Sequence, residues 1–185
     1  MKKVLLAVDG ISPDQKAFRY AVELCKRIKA ELNVFQIIDP GNYSEYLKKI
    51  RKGTGHARRY LESSLVAATF AEAGEHATAA EIMSEALKNS KRLLPESEKE
   101  GVECHFTMTS GTPDNKIIDY VNAHRDVVLT IYDSSGKGGC RSGLAVKETP
   151  VFRKIKKALS IPLVVVSNCG ALAGNGTTDS PGDGL

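Results

Sequence analysis

Two stretches of the chain carry residue types suited to an anionic, hydroxyl-bearing ligand. Asp9 closes the apolar run Val4-Leu5-Leu6-Ala7-Val8 and precedes Gly10. A carboxylate at the end of a buried strand can accept hydrogen bonds from ribose-type hydroxyls or hold a metal ion. It serves equally well as a plain turn residue at a helix entry. The second stretch is Asp133-Ser134-Ser135-Gly136-Lys137-Gly138-Gly139-Cys140-Arg141-Ser142-Gly143. Its glycines let backbone amides close around an anion, its hydroxyls add donors, and Lys137 and Arg141 supply positive charge, as in a phosphate nest. It is not a Walker A loop, which needs GxxxxGK[ST] running directly into a helix. A Gly-rich surface loop without a ligand is the competing reading. Thr149, just ahead of Pro150, places a hydroxyl at a helix start, where free amides and the helix dipole favour anions.

These residues need a framework that brings strand ends together, and the hydrophobic pattern supplies one. Lys3 to Asp9, Leu32 to Ile38, Val102 to Thr109, Val127 to Tyr132 and Leu163 to Ser167 are short and apolar or β-branched, as expected of buried strands. Ser12-Pro13-Asp14-Gln15 predicts an N-cap at Ser12 and a first-turn proline for a helix running to about Ala30, with Ala17, Ala21, Leu24, Cys25 and Ile28 inward. Thr112-Pro113-Asp114 and Thr149-Pro150 start two further helices in the same way, with Ile117, Ile118 and Val121, then Val151, Phe152, Ile155, Ala158 and Leu159, facing inward. Between Tyr43 and Gly101 the period is helical, with stripes Tyr43-Tyr46-Leu47-Ile50, Leu61-Leu65-Ala68 and Ala79-Ile82-Met83-Ala86-Leu87-Leu94.

Five buried strands alternating with helices define a doubly wound α/β sheet, parallel throughout, with right-handed crossovers. Ligands on such a sheet bind outside the carboxyl ends of the strands, which is where Asp9 and the 133–143 loop fall. The 185 residues fit one domain over 1–167, enlarged by the helical segment 43–100, and a Gly-rich tail over 168–185 that is too polar to bury a core. The apolar run at the N-terminus is stopped by Asp9, too short for a signal sequence or a membrane span, so the expected location is the cytoplasm.

Net charge of +4 is a mild excess, short of the clustered basicity of a dedicated nucleic-acid binder. The densest basic stretch, Lys48, Lys49, Arg51, Lys52, Arg58 and Arg59 with His56, could dock an acidic protein, against the ordinary reading of a solvated helical face. Arg153, Lys154, Lys156 and Lys157 lie opposite the apolar stripe of the last helix, where exposed charge is expected. The cysteines, 25, 104, 140 and 169, have no CxxC spacing, and histidines 56, 76, 105 and 124 have no HxxxH spacing or evident nucleophile, so neither set predicts a metal or a catalytic centre.

Taken in order, Val8-Asp9-Gly10, Phe35-Gln36-Ile37-Ile38-Asp39, Gly111-Thr112-Pro113, the Gly loop with Arg141-Ser142-Gly143-Leu144, and Ile161-Pro162-Leu163-Val164-Val165-Val166 resemble the universal stress protein family across residues 2–167. That resemblance implies an adenine nucleotide alpha hydrolase-like sheet with strand order 3-2-1-4-5. In the nucleotide-binding branch it implies a loop G-x2-G-x9-G-[S/T], with Asp9 facing the ribose, Ile37 near the adenine, Gly136 as the second glycine and Lys137 after it. Here the pattern departs. Asp133 stands at the first glycine, twelve residues separate Gly136 from the final position, and that position reads Thr149-Pro150. Anchoring on Gly136 and Gly139 instead restores nine residues before Thr149. Asp133 adds negative charge beside any phosphate, and Pro150 lacks a backbone N–H.

Two functions follow from the resemblance. One is a non-enzymatic stress-response regulator binding ATP or AMP, with Mg2+ alongside ATP, through Asp9, Ile37, Gly136, Lys137, Gly139 and Thr149. The other is a nucleotide-independent interaction module whose ATP site has been lost. In both, the short apolar edge strand 163–167 implies a homodimer, unless the tail from Asn168 covers that edge. No adenylating SGGxDS or HxGH motif and no clustered acids of a phosphoryl-transfer receiver are present, so at most slow ATP hydrolysis is expected.

Overall fold

The structure, a computed structural model, describes residues 1–53, 71–133 and 149–166. Within them the elements are β1 (Lys3–Asp9), α1 (Gln15–Ile28), β2 (Glu31–Ile38), a 3-10 turn (Pro40–Asn42), α2 (Tyr43–Gly53), α3 (Ala71–Lys91), α4 (Leu94–Lys99), β3 (Cys104–Ser110), α5 (Pro113–Ala123), β4 (Val127–Asp133), α6 (Pro150–Ala158) and β5 (Leu163–Val166). The five strands form one sheet in the order β3-β2-β1-β4-β5, every pair parallel.

Burial follows from that order. β1 and β2 are interior strands and are closed to water along almost their whole length, which is why they read as continuous apolar runs. Even-numbered residues of both (Val4, Leu6, Val8, Leu32, Val34) pack under α1 through Ala17, Phe18, Ala21, Val22 and Cys25. Odd-numbered ones (Leu5, Ala7, Phe35, Ile37) pack under α5 and α6 through Ile117, Val121 and Ile155. A third cluster, Ile11, Ile38, Tyr46, Ile82 and Ala86, ties α2 and α3 to the carboxyl end of β2.

Local details differ from the sequence-based expectation at several points. The N-cap of α1 is Asp14 rather than Ser12. Its Oδ1 accepts from the amides of Lys16 and Ala17 at 2.9 and 3.0 Å, so Pro13 precedes the helix instead of opening it. A carboxylate is the better cap here because it also interacts with the positive end of the helix dipole. The helix ends at Ile28, with Lys29 in the left-handed region (φ 53°), which exposes Ile28 and lets the Ala30 amide return to the Cys25 carbonyl. β3 begins at Cys104, and Ala158 and Leu87 face water. Thr112 and Thr149 do precede their helices, although only Thr149 caps through its side chain, its Oγ1 accepting from the Phe152 amide at 3.2 Å.

Glycine is required directly after β1 and β3. Gly10 and Gly111 adopt φ 128° and 141°, and their amides donate to the carbonyls of Ile37 and Ile38 at 3.1 Å. L-residues rarely reach that backbone region, and a Cβ at Gly111 would meet Lys116 Cε at 2.7 Å.

Candidate functional site

The strand order reverses between β1 and β4: from β1 the chain builds outward to β2 and β3, then crosses back to β4 and β5. The crevice of a doubly wound sheet lies at that switch point. Register places Asp9 beside Ile37 and Val8 beside Asp133, so two acids and the predicted adenine-side residue meet at one end of the sheet.

Both acids are enclosed. Asp9 is 2% exposed, and the Tyr132 hydroxyl donates to its Oδ2 at 3.2 Å. Burial, with the Asp9 charge adding to it, pushes the Tyr132 phenol far above its ordinary range and raises Tyr46 from α2 as well. Both phenols therefore keep their protons at neutral pH, and Tyr132 serves Asp9 as a donor. Ile37 is fully buried in the cluster beneath α5 and α6.

Asp133 is 1% exposed, and its Oδ2 accepts from the Asp14 amide at 2.7 Å. Together with the two amides taken by Asp14 Oδ1, the amides of residues 14, 16 and 17 at the start of α1 are all bound to carboxylates of the chain. An arriving phosphate would meet an anion already seated on those donors. The charge of Asp9 lies on the neighbouring strand, and like charges in a poorly solvated site repel strongly.

The remaining sequence-derived residues divide in two. Thr149 stands exposed at the start of α6, its hydroxyl oxygen used as the cap acceptor. Gly136, Lys137 and Gly139 lie outside the described residues, as do the side chains of Arg51, Lys52, His56, Arg58 and Arg59; Lys48 and Lys49 are exposed on α2. Among the described residues no group of three or more His, Cys, Asp or Glu is placed to hold a metal ion, and no helix is long and apolar enough to cross a membrane.

Sequence reasoning passed over a buried polar chain behind the crevice. Gln36 Nε2 donates to the Gly10 carbonyl at 2.9 Å, and Ser90 Oγ donates to Gln36 Oε1 at 2.8 Å. A glutamine inside a strand otherwise closed to water signals such a partner, because a buried amide without one is costly. Tyr132 gave a similar signal, since a buried phenol seeks an acceptor. Which partners they find depends on α3 and β1, more than fifty residues apart in sequence from one another.

A five-stranded parallel sheet in the order β3-β2-β1-β4-β5 with helices on both faces defines a doubly wound α/β protein. The family model described as "Universal stress protein family" matches residues 1–166. The chain belongs to the universal stress protein family. It is 24% identical over 165 residues to universal stress protein MJ0531 of Methanocaldococcus jannaschii, covering 89% of this chain and 81% of that one. Over 64 residues it is 38% identical to a putative universal stress protein, SH1215, of Staphylococcus haemolyticus, covering 35% of this chain and 39% of the relative. Among solved structures it resembles universal stress protein UspA from Lactobacillus plantarum with a TM-score of 0.57 at 17% identity, over 89% of this chain and 97% of that one, a likeness of fold.

Proposed function

We propose that this protein is a non-enzymatic regulator of the universal stress type that works through protein contacts without a bound nucleotide. The observation that carries the reading is the Asp133 carboxylate seated on the Asp14 amide. Where the nucleotide-binding branch has a glycine, this chain supplies its own anion. The half-buried edge strand β5, Leu163–Val166, supports a homodimer formed by strand pairing. The absence of a positioned general base in the sequence motifs supports the non-enzymatic reading.

A second reading, an ATP or AMP sensor, is favoured by the adjacency of Asp9 to Ile37 and by the exposed Thr149 at the head of α6. It requires Asp133 to leave Asp14. Calorimetric titration of wild type and Asp133→Gly with Mg-ATP and AMP, after assay of heat-released nucleotide, separates the two. Flat wild-type titrations with binding gained in Asp133→Gly support the first. Saturable wild-type binding that is lost in Asp9→Ala overturns it. Sedimentation equilibrium tests the dimer, and a monomer across the concentration range removes that part of the reading.

A further inference from the structure

The last full turn of α3 has two dissimilar faces. Inward, Ser90 reaches Gln36, and Asn89 Nδ2 donates to the Ile11 carbonyl at 3.1 Å and to Ser12 Oγ at 2.9 Å. With the Gln36–Gly10 bond, these contacts fix the turn to the loop leaving β1, next to Asp9. Outward, Ser84, Leu87, Lys88, Lys91 and Arg92 line a shallow groove of about 420 Å³.

That outer face is apolar at its centre and positive around it. Leu87 is 40% exposed, one of few large apolar side chains left in water among the described residues. Lys88 meets Glu85 only at 3.7 Å, and Lys91 and Arg92 have no acidic partner among the described residues. Some other surface cations are closely paired: Lys3 with Asp126, Arg19 with Glu96, Lys26 with Glu100, Lys154 with Asp114.

We propose that this face docks an acidic amphipathic helix of a partner protein, with an aliphatic side chain over Leu87 and carboxylates on Lys88, Lys91 and Arg92. Charge complementarity selects this occupant. The three cations span little more than one helical turn, about 6 Å along the axis, which matches carboxylates at i and i+4 of a facing helix and is too short to track a phosphate backbone. Glu81 and Glu85 continue the same helix toward its N-terminus and repel a longer polyanion. The apolar centre gives a helix partner a contact to exclude water around. Because the opposite face of the turn holds the Gly10–Ser12 loop, docking here acts on the backbone beside the crevice. The inference names the partner class for the protein-contact part of the proposed function and rests on that part.

The test uses the full chain and a fluorescein-labelled, alanine-based helical peptide of about 18 residues, long enough to hold helix, carrying one leucine flanked by glutamates at i−4, i+3 and i+4. Anisotropy is expected to show saturable binding that weakens by about tenfold or more in Lys91→Glu/Arg92→Glu. Binding to that variant is expected to recover with a peptide carrying lysines for glutamates, a result a merely unfolded variant could not give. Equal affinity in wild type and variant, failure of the swapped peptide, or absence of peptide binding overturns the proposal. So does displacement of the peptide by a single-stranded oligonucleotide or phosphatidylserine vesicles at comparable charge concentration. The ATP titration above, run on the same samples, keeps the failures distinct: wild-type ATP binding with peptide binding intact removes only the nucleotide-free reading, and flat ATP titrations without peptide binding remove only the docking face.

Discussion

Ser90→Ala tests whether α3 is held to the sheet by the buried polar chain or by apolar packing alone. The substitution removes one hydroxyl from a fully buried position and leaves Gln36 Oε1, on a side chain 1% exposed, without its 2.8 Å donor. Water cannot enter to replace it, so the cost is the desolvation of one amide oxygen, about 1–3 kcal/mol. With a urea m-value of about 2–3 kcal/mol/M for a domain of this size, the midpoint falls by about 0.3–1.5 M at unchanged m. Gln36→Leu removes the amide altogether, and in that background Ser90→Ala should cost no more than about 0.5 kcal/mol, because a helical serine can turn its hydroxyl to a backbone carbonyl. The assay is a double-mutant cycle by urea denaturation followed by circular dichroism. If Ser90→Ala costs the same in both backgrounds, or nothing in either, the chain from Ser90 through Gln36 to Gly10 does not fasten α3, and the coupling of its outer face to the crevice fails with it.

Three further outcomes are expected. Asp14→Ala should lower stability by about 0.5–2 kcal/mol as the α1 cap is lost, whereas Ser12→Ala should cost clearly less in the same denaturation experiment; the reverse ranking would restore Ser12 as the cap. The Lys154 ammonium beside Asp114 holds that carboxyl below the usual carboxylate range. A folded-state pKa below the unfolded one contributes stability that is complete above the unfolded value, about 3.9, and is lost as pH falls through the folded value. Lys154→Met should therefore flatten the acid limb of the urea midpoint below about pH 5, and an unchanged limb would show that the pair does not couple to folding. Burial pushes the Cys25 thiol up to about 12 and the Cys104 thiol up to about 11. Peptide-resolved iodoacetamide labelling at pH 8 should leave both unmodified until urea unfolds the chain, and rapid native labelling would contradict their burial.

Most of the framework was legible because it rests on local rules. A strand closed on both faces must be apolar throughout, so β1, β2 and β4 stood out, and proline at a first helical turn marked α5 and α6. The α1 cap was misplaced by two residues because Ser12 and Asp14 are both good caps in isolation. Asp133 reaching the Asp14 amide fixes where the helix begins, and that contact spans 119 residues of sequence. The exposed Leu87 sat on an apolar stripe at helical spacing, but helix α3 rolls so that Ile82 and Ala86 take the buried side.

The candidate site divides along the same line. The sequence by itself determined the residue types at the strand ends: Asp9 after an apolar run, Ile37 on β2, Asp133 where a glycine would suit a phosphate, and Thr149 ahead of a proline. Periodicity and turn chemistry are properties of neighbours along the chain, and a reader of the sequence has all of them. Only the tertiary structure decided which donors those acids satisfy. Register across β1 and β4 sets Asp133 over the start of α1, burial of Tyr132 aims its hydroxyl at Asp9, and α3 brings Ser90 to Gln36. Those pairings are set by packing between distant segments and by the cost of leaving a buried polar group unmatched, neither of which is written in any short stretch of residues.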